Sequence, residues 1–315
     1  TLRGGVRLNV YYAGEFYNSY DRVRFRGGTK VNFSPRFAFR YRTSEKTAIK
    51  GSWGIFYQFL NVAPMGNADF SFLDIWFPSD NSITPAEAIH YIIGIETELP
   101  GNIKFDWEGY YKDMNHLYEF REDANRVLKT ADLFYRGKGY SYGSDIFFEK
   151  KIGNLAGWFS YSLGWTKRKF PALNKGREYF PKYDRRNSVY FVGKYKLSKK
   201  WTLNFGWNYG TGQAFTRPLG RYQLILPDTR IDIVKGESLN ASRLPPYHRL
   251  DAGITYETSF KRIWGKEFSA YFQVFNFYNR RNLWFHYVDF DFNPAKILQA
   301  RMLPIIPTFG FELKF

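Results

Sequence analysis

Large apolar residues recur at every second position through most of this 315-residue chain. Trp201 to Tyr209 reads WTLNFGWNY, with Trp201, Leu203, Phe205, Trp207 and Tyr209 on one face and Thr202, Asn204, Gly206 and Asn208 on the other. That is the period of a strand wetted on one side only. Leu155 to Trp165 repeats it: Leu155, Phe159, Tyr161, Leu163 and Trp165 oppose Ser160, Ser162 and Gly164. Ile103 to Tyr111 sets Ile103, Phe105, Trp107 and Tyr111 against Lys104, Asp106 and Glu108. In Ile89 to Leu99, Ile89, Tyr91, Ile93, Ile95 and Leu99 oppose His90, Glu96 and Glu98, and in Arg36 to Arg42, Phe37, Phe39 and Tyr41 oppose Arg36, Arg40 and Arg42. Weaker runs at Val6–Tyr12, Thr47–Phe59, Tyr140–Lys150, Val189–Lys196, His248–Tyr256, Phe268–Tyr278 and Thr308–Phe315 bring the expected number of strands to about 12.

No stretch approaches the roughly 18 consecutive apolar residues that a membrane-spanning helix needs. A barrel strand spans with about 10 residues, every second one facing lipid. Charges on the alternate faces point to a wet interior, so the pattern predicts an all-β transmembrane antiparallel barrel. The connections agree. Tight links at Thr43–Lys46, Pro100–Asn102, Lys151–Asn154 and Leu197–Lys200 alternate with long segments at Leu60–Glu87, Glu119–Gly139, Phe170–Arg186, Gly210–Pro246 and Asn279–Pro304. Outer-membrane barrels carry short periplasmic turns and long outer loops, and this parity puts the C-terminus on the periplasmic side. The chain ends TFGFELKF, where Phe309, Phe311, Leu313 and Phe315 alternate. These four resemble the insertion signal that barrel-assembly machinery reads on outer-membrane proteins.

Composition sharpens the picture. Aromatics make up 21% of the chain, and most are Phe (32) and Tyr (25), while the mean hydropathy is only −0.46. Apolar groups are therefore diluted rather than run together. Trp53, Tyr57, Trp107, Tyr111, Trp165, Trp201 and Tyr209 fit interfacial girdles, where an amphipathic ring sits between hydrocarbon and water. The absence of cysteine excludes disulfides, thiolate metal sites and Cys nucleophiles. A formal charge of +17 would ordinarily raise nucleic acid as a partner. Here the basic residues are interleaved with aromatics at strand spacing, so an anionic membrane surface, lipopolysaccharide included, or an anionic small solute is the expected partner, and nucleic acid is not. Thr1 to Tyr12 has neither a charged start nor an apolar signal core, so a targeting segment is expected to lie upstream or to have been removed.

Candidate chemistry is sparse. Gly139-Tyr140-Ser141-Tyr142-Gly143 matches a nucleophile elbow in letters, but an elbow needs a strand running into a helix, and the motif opens an aromatic strand. His90, His116, His248 and His286 are scattered without metal-ligand spacing. Neither a metal nor a cofactor is expected. The carboxylates of Glu96, Glu98, Asp106 and Glu108 read as charge networks with Arg36, Arg40 and Lys104, because charge on the water side avoids the cost of facing lipid. Arg36, Arg40, Lys104 and Arg249 are the lumen-facing candidates. Basic loops at Phe170–Arg186 (Lys175, Arg177, Lys182, Arg185, Arg186 against Glu178, Asp184) and Arg22–Lys30 (Arg22, Arg24, Arg26, Lys30) could bind lipopolysaccharide phosphates or draw an anionic solute to the mouth.

Several segments resemble, in their order, the TonB-dependent outer-membrane receptor family. They are Ser34-Pro35-Arg36 opening a strand, the hairpin Ile89–Tyr111, Gly143–Ser162, FPKYDRR at Phe180–Arg186, LPPYHRL at Leu244–Leu250, FNFYNRRN at Phe275–Asn282 and the terminal Phe. The resemblance implies a 22-stranded barrel filled by an N-terminal plug. Residues 1–315 would be its C-terminal barrel portion, with the plug, the early strands and the TonB contact outside it. The implied function is uptake of a scarce solute (ferric siderophore, cobalamin or a similar chelate) in a Gram-negative outer membrane, with TonB-supplied energy and no enzymatic step. Two alternatives stand beside it: a complete small barrel acting as a passive anion-preferring pore, and an outer-membrane hydrolase with Ser141 as nucleophile.

Overall fold

Period-2 patterning becomes strands throughout. A computed structural model describes residues 1–14, 16–18, 23–25, 27–63, 75–121, 130–226, 229–260, 266–289, 292 and 296–314. Twelve strands form one sheet: β1 (Leu2–Ala13), β2 (Gly28–Arg42), β3 (Thr47–Gln58), β4 (Ala86–Leu99), β5 (Ile103–Phe120), β6 (Phe134–Lys150), β7 (Leu155–Lys169), β8 (Asn187–Lys196), β9 (Trp201–Gly210), β10 (Tyr247–Phe260), β11 (Lys266–Phe275) and β12 (Ile306–Lys314). Each pairs antiparallel with its chain neighbours, and among the described residues β1 and β12 are not bonded to one another. A barrel closed on these twelve strands alone, as the small-pore alternative requires, would join them. No helix among the described residues is long and apolar enough to cross a membrane.

Register gives the sheet its two faces, because directly opposed residues point the same way. Across β3–β6, Ile49 faces Ile95, Ile95 faces Trp107, and Trp107 faces Ile146. Phe148 continues to Phe159, Phe159 to Phe191, Phe191 to Trp207 and Trp207 to Leu250. At the far edge Phe272 faces Phe309, Ala270 faces Phe311 and Phe268 faces Leu313. Nothing among the described residues covers this apolar face: Phe309 is 83% and Phe311 78% exposed. In water that patch would be costly; in hydrocarbon it costs nothing. Phe315 lies outside the described residues.

Connections are short at one end of the sheet and long at the other. Two of the tight turns use the same device. Ser44 Oγ accepts the amides of Lys46 and Thr47, and Ser198 Oγ those of Lys200 and Trp201. The β4–β5 turn runs through Gly101 and Asn102 at φ +81° and +57°, the left-handed region these residue types enter most cheaply. At the other end small hairpins rise from the loops: Leu60–Ala63 with Ile75–Pro78, Pro218–Leu226 with Thr229–Gly236, and Leu283–Asp289 with Lys296–Arg301. A packed core stands here too, where the loop ends of β5 and β6 meet the loop before β4. Phe77, Ile83 and Phe134 are buried against Tyr118, Phe120 and Leu133, with Phe77 and Phe134 stacked at 3.9 Å.

Candidate functional site

Arg36, Arg40, Lys104 and Arg249 all occupy the face opposite the apolar one, as their register partners show. They do not converge. Toward the short turns, Arg40 pairs with Glu96, and Lys50 Nζ lies 2.8 Å from both Asp106 oxygens and 2.5 Å from Glu108 Oε1. Lys50 is thus the centre of this network, a role that sequence reading had not given it. Lys104 stands opposite Glu98 and Glu149. Arg249 gives its charge to Asp251 two residues on, at 2.7 and 3.0 Å, and Asp251 also accepts the Asn276 amide at 2.8 Å.

Toward the loops the same face changes character. The Arg36 guanidinium lies 4.5 Å over the Phe56 ring, and Phe56 packs at 4.5 Å on His90. His90 stands directly opposite Lys112, whose Nζ lies 4.9 Å over the Tyr110 ring. From Arg36, Ser52, Ile92, Tyr110 and Gly143 up to Lys30, Gln58, Ala86, Met114 and Gly139, the polar-face positions of β2–β6 carry no Asp or Glu. Cations set on aromatic faces, without carboxylates to neutralise them, form a surface suited to an anion with flat or apolar groups.

Above that surface three buried knots fix the loops. Asp80 accepts Ser82 N, Ser82 Oγ and Ile83 N at 2.7–2.8 Å with one oxygen and Thr130 Oγ1 at 2.6 Å with the other. Asp184, 3% exposed, accepts Thr166 N at 2.8 Å and Arg243 Nη2 at 2.6 Å, with Arg186 at 3.9 Å. Around it, Arg186, Arg243 and Lys167 ring the Phe180 side chain at 4.7–5.2 Å, and Asn240 Nδ2 donates to the Phe180 carbonyl at 2.7 Å. In the third knot Tyr179 pairs its backbone with Arg168, and Arg168 bonds Glu119. Burial, with the Glu119 carboxylate beside it, holds the Tyr179 phenol above the ordinary phenol range.

The architecture matches solved structures along almost the whole chain. The Fiu ferric-catecholate import receptor from E. coli K12 aligns with a TM-score of 0.58 and 13% identity over 99% of this chain and 42% of its own. The ferric citrate transporter FecA, unliganded, gives 0.60 and 12% over 99% and 42%. The ferripyoverdine receptor of the Pseudomonas aeruginosa outer membrane, bound to ferripyoverdine, gives 0.62 and 13% over 99% and 36%. The chain has the barrel fold of the TonB-dependent outer-membrane receptors. It spans about two-fifths of the length of those proteins. No family model and no curated protein matches it in sequence.

Within this receptor fold the sequence segments acquire physical roles. FPKYDRR is the Asp184 knot, tying the β7–β8 loop to the β9–β10 loop. FNFYNRRN is a second tie, in which Asn276 bonds the Arg280 and Leu303 carbonyls and Asn282 bonds His248 on both its N–H and its carbonyl. Ser141 sits inside β6, opposite Lys112 and Thr166, with Thr166 Oγ1 at 3.1 Å. There is no strand-to-helix turn, so the elbow geometry that the hydrolase alternative needs is missing. His116 lies where the β5–β6 register shifts, 3.2 Å from the Pro85 carbonyl, and His248 meets Tyr278 at 2.8 Å. Among the described residues no group of three His, Asp or Glu could hold a metal. All seven girdle candidates share the apolar face, but Trp107 lies midway between Ile103 and Tyr111 and donates its indole N–H to Ser144 Oγ at 2.8 Å. Of the Arg22–Lys30 basic cluster, Arg22 and Arg26 lie outside the described residues.

Proposed function

We propose that this chain is the C-terminal wall of an outer-membrane receptor that takes up a scarce anionic chelate of the ferric-siderophore class, using energy relayed from the TonB complex. On this reading further strands complete the barrel between β12 and β1, and an N-terminal plug fills the lumen and contacts TonB. The polar face looks into that lumen, the long loops face outward and the C-terminus is periplasmic. Phe309, Phe311, Leu313 and Phe315 serve as the signal for barrel assembly.

The observation that carries the cargo assignment is the division of charge along the polar face. Its turn half is ion-paired through Arg40, Lys50, Glu96, Asp106 and Glu108, whereas its loop half exposes Arg36, Lys112 and their aromatic partners with no carboxylate between. An anion entering past the loops meets cations first. The test is uptake of a panel of ferric chelates by a deletion strain carrying the gene. One anionic chelate should restore growth in iron-poor medium, and Arg36→Ala with Lys112→Ala should raise its half-saturating concentration about tenfold or more, the scale of losing charge-assisted bonds. Restoration by neutral cobalamin alone would refute the cargo assignment.

A further inference from the structure

The apolar face carries one feature that a lipid-facing surface should avoid. Lys138 of β6 and Lys169 of β7 are directly opposed, and Lys167 is one same-face pair further along, opposite Tyr140. The next same-face pair is Tyr142 with Trp165, stacked at 5.2 Å, so all three lysines stand on the outward face, Lys138 and Lys169 beyond the aromatic strip and Lys167 level with its Tyr140. That strip is continuous: Tyr91, Tyr111, Tyr140, Tyr142 and Trp165 follow one another at 5.2–6.4 Å between ring centres. Aromatic belts mark the level of lipid headgroups.

Like charges directly opposite one another on a sheet are destabilising. A violated local rule with no gain inside the fold points to function. Lys167 is partly answered, 4.0 Å from Glu178, which also accepts the Tyr140 hydroxyl at 2.9 Å. Asp113 stands opposite Tyr140 on β5. Lys138 and Lys169 are exposed, and neither has an ion pair among the described residues. With Tyr140 and Glu178 they border a cavity of about 230 Å³, large enough for a phosphate and its attached ring. We infer that Lys138, Lys167 and Lys169 form a binding site for a phosphate monoester on a membrane lipid, of the kind borne by the lipid A headgroup of lipopolysaccharide. The acyl chains would lie along the apolar face below, and the aromatic strip would meet the sugar. This rests on the proposed function only in taking the loop end as the outer side.

Native mass spectrometry of the full-length protein in detergent, with added bisphosphorylated lipid A, tests it. Basic groups near a lipid headgroup contribute about a fivefold affinity each, so Lys138→Gln with Lys169→Gln should weaken retention about thirtyfold. Lys138→Arg with Lys169→Arg should keep it, showing that charge and not folding is at issue. Unchanged retention in the glutamine variant would overturn the site, and so would equal retention of dephosphorylated lipid A. Inorganic phosphate displacing the lipid at equal concentration would make this a free-phosphate site and overturn the lipid assignment. Chelate uptake separates the two readings: lipid A bound as expected with no chelate transported sinks only the transport proposal, while transport with charge-independent lipid binding sinks only this one.

Discussion

Ile92 and Ile93 are chemically identical neighbours on β4 that the register sends to opposite faces. Ile93 stands between Gly51 and Gly109, both without side chains, and is 55% exposed on the apolar face. Ile92 stands between Ser52 and Tyr110 on the polar face. Ile93 is also near the middle of the strand, with Ala86 and Leu99 at its ends. At roughly 3.3 Å per residue and a tilt of about 40°, Ile93 lies about 5 Å below Tyr91 of the aromatic strip, so the side chain of Ile93→Arg begins in hydrocarbon and must stretch toward that strip to reach water. Arginine on the lipid face costs about 2–4 kcal/mol at the midplane and about 0–1 kcal/mol near the interface, so Ile93→Arg should fall between, at about 1–2 kcal/mol. Ile92→Arg points at water and should cost less than about 1 kcal/mol, from lost contact with Tyr110. Urea unfolding of the full-length protein in liposomes, with both variants measured against the parent, reads the difference directly. Equal losses, or a larger one for Ile92→Arg, would refute the assignment of faces.

Three further outcomes follow from the loop knots. Asp184→Ala leaves the Arg243 and Arg186 guanidiniums without their buried acceptor, so amides of the β7–β8 and β9–β10 loops should lose about 1–3 kcal/mol of hydrogen-exchange protection while the sheet keeps its own. Asp80→Ala removes four hydrogen bonds and should have a similar local effect on the Ser82 and Ile83 amides, with that of Thr166 unchanged. Tyr179 gives a pH dependence. Its buried phenol ionises later in the folded protein than the ordinary value of about 10, so its contribution to stability is fully present below that pH and is lost as the pH rises from there toward the folded value. Tyr179→Phe should flatten the alkaline limb of a stability-against-pH curve, and an unaltered limb would remove Tyr179 from the account.

The existence of all twelve strands was legible because each crosses a zone that is dry on one side, and such a zone forces alternation. Their outer ends were not. β5 runs nine residues past Tyr111, to Phe120, and β6 starts six before Tyr140, at Phe134. Beyond the aromatic strip both faces meet water or loop, so nothing in the residue pattern marks where pairing stops. For the same reason the loop hairpins went unread. The polar face was legible as a set of residues but not as a set of contacts. Which carboxylate Lys50 meets depends on the register of three strands, and Asp184 finds Arg243 from 59 residues away. The pairing of Arg40 with Glu96 agrees with the charge network read in the sequence, but Arg36, expected in that network, lies over Phe56 instead, and the partner of Arg249, Asp251, appears only in the structure.

The central claim is that successive side chains alternate between hydrocarbon and water. These 315 residues have no cysteine, so, with any cysteine elsewhere in the full-length protein replaced, a single nitroxide can be placed at each of Trp201 through Gly210 by Cys substitution and the protein reconstituted in a bilayer. Collision rates with oxygen should peak at 201, 203, 205, 207 and 209, and those with a water-soluble nickel chelate at 202, 204, 206 and 208. A flat profile, or a period near 3.6, would contradict it.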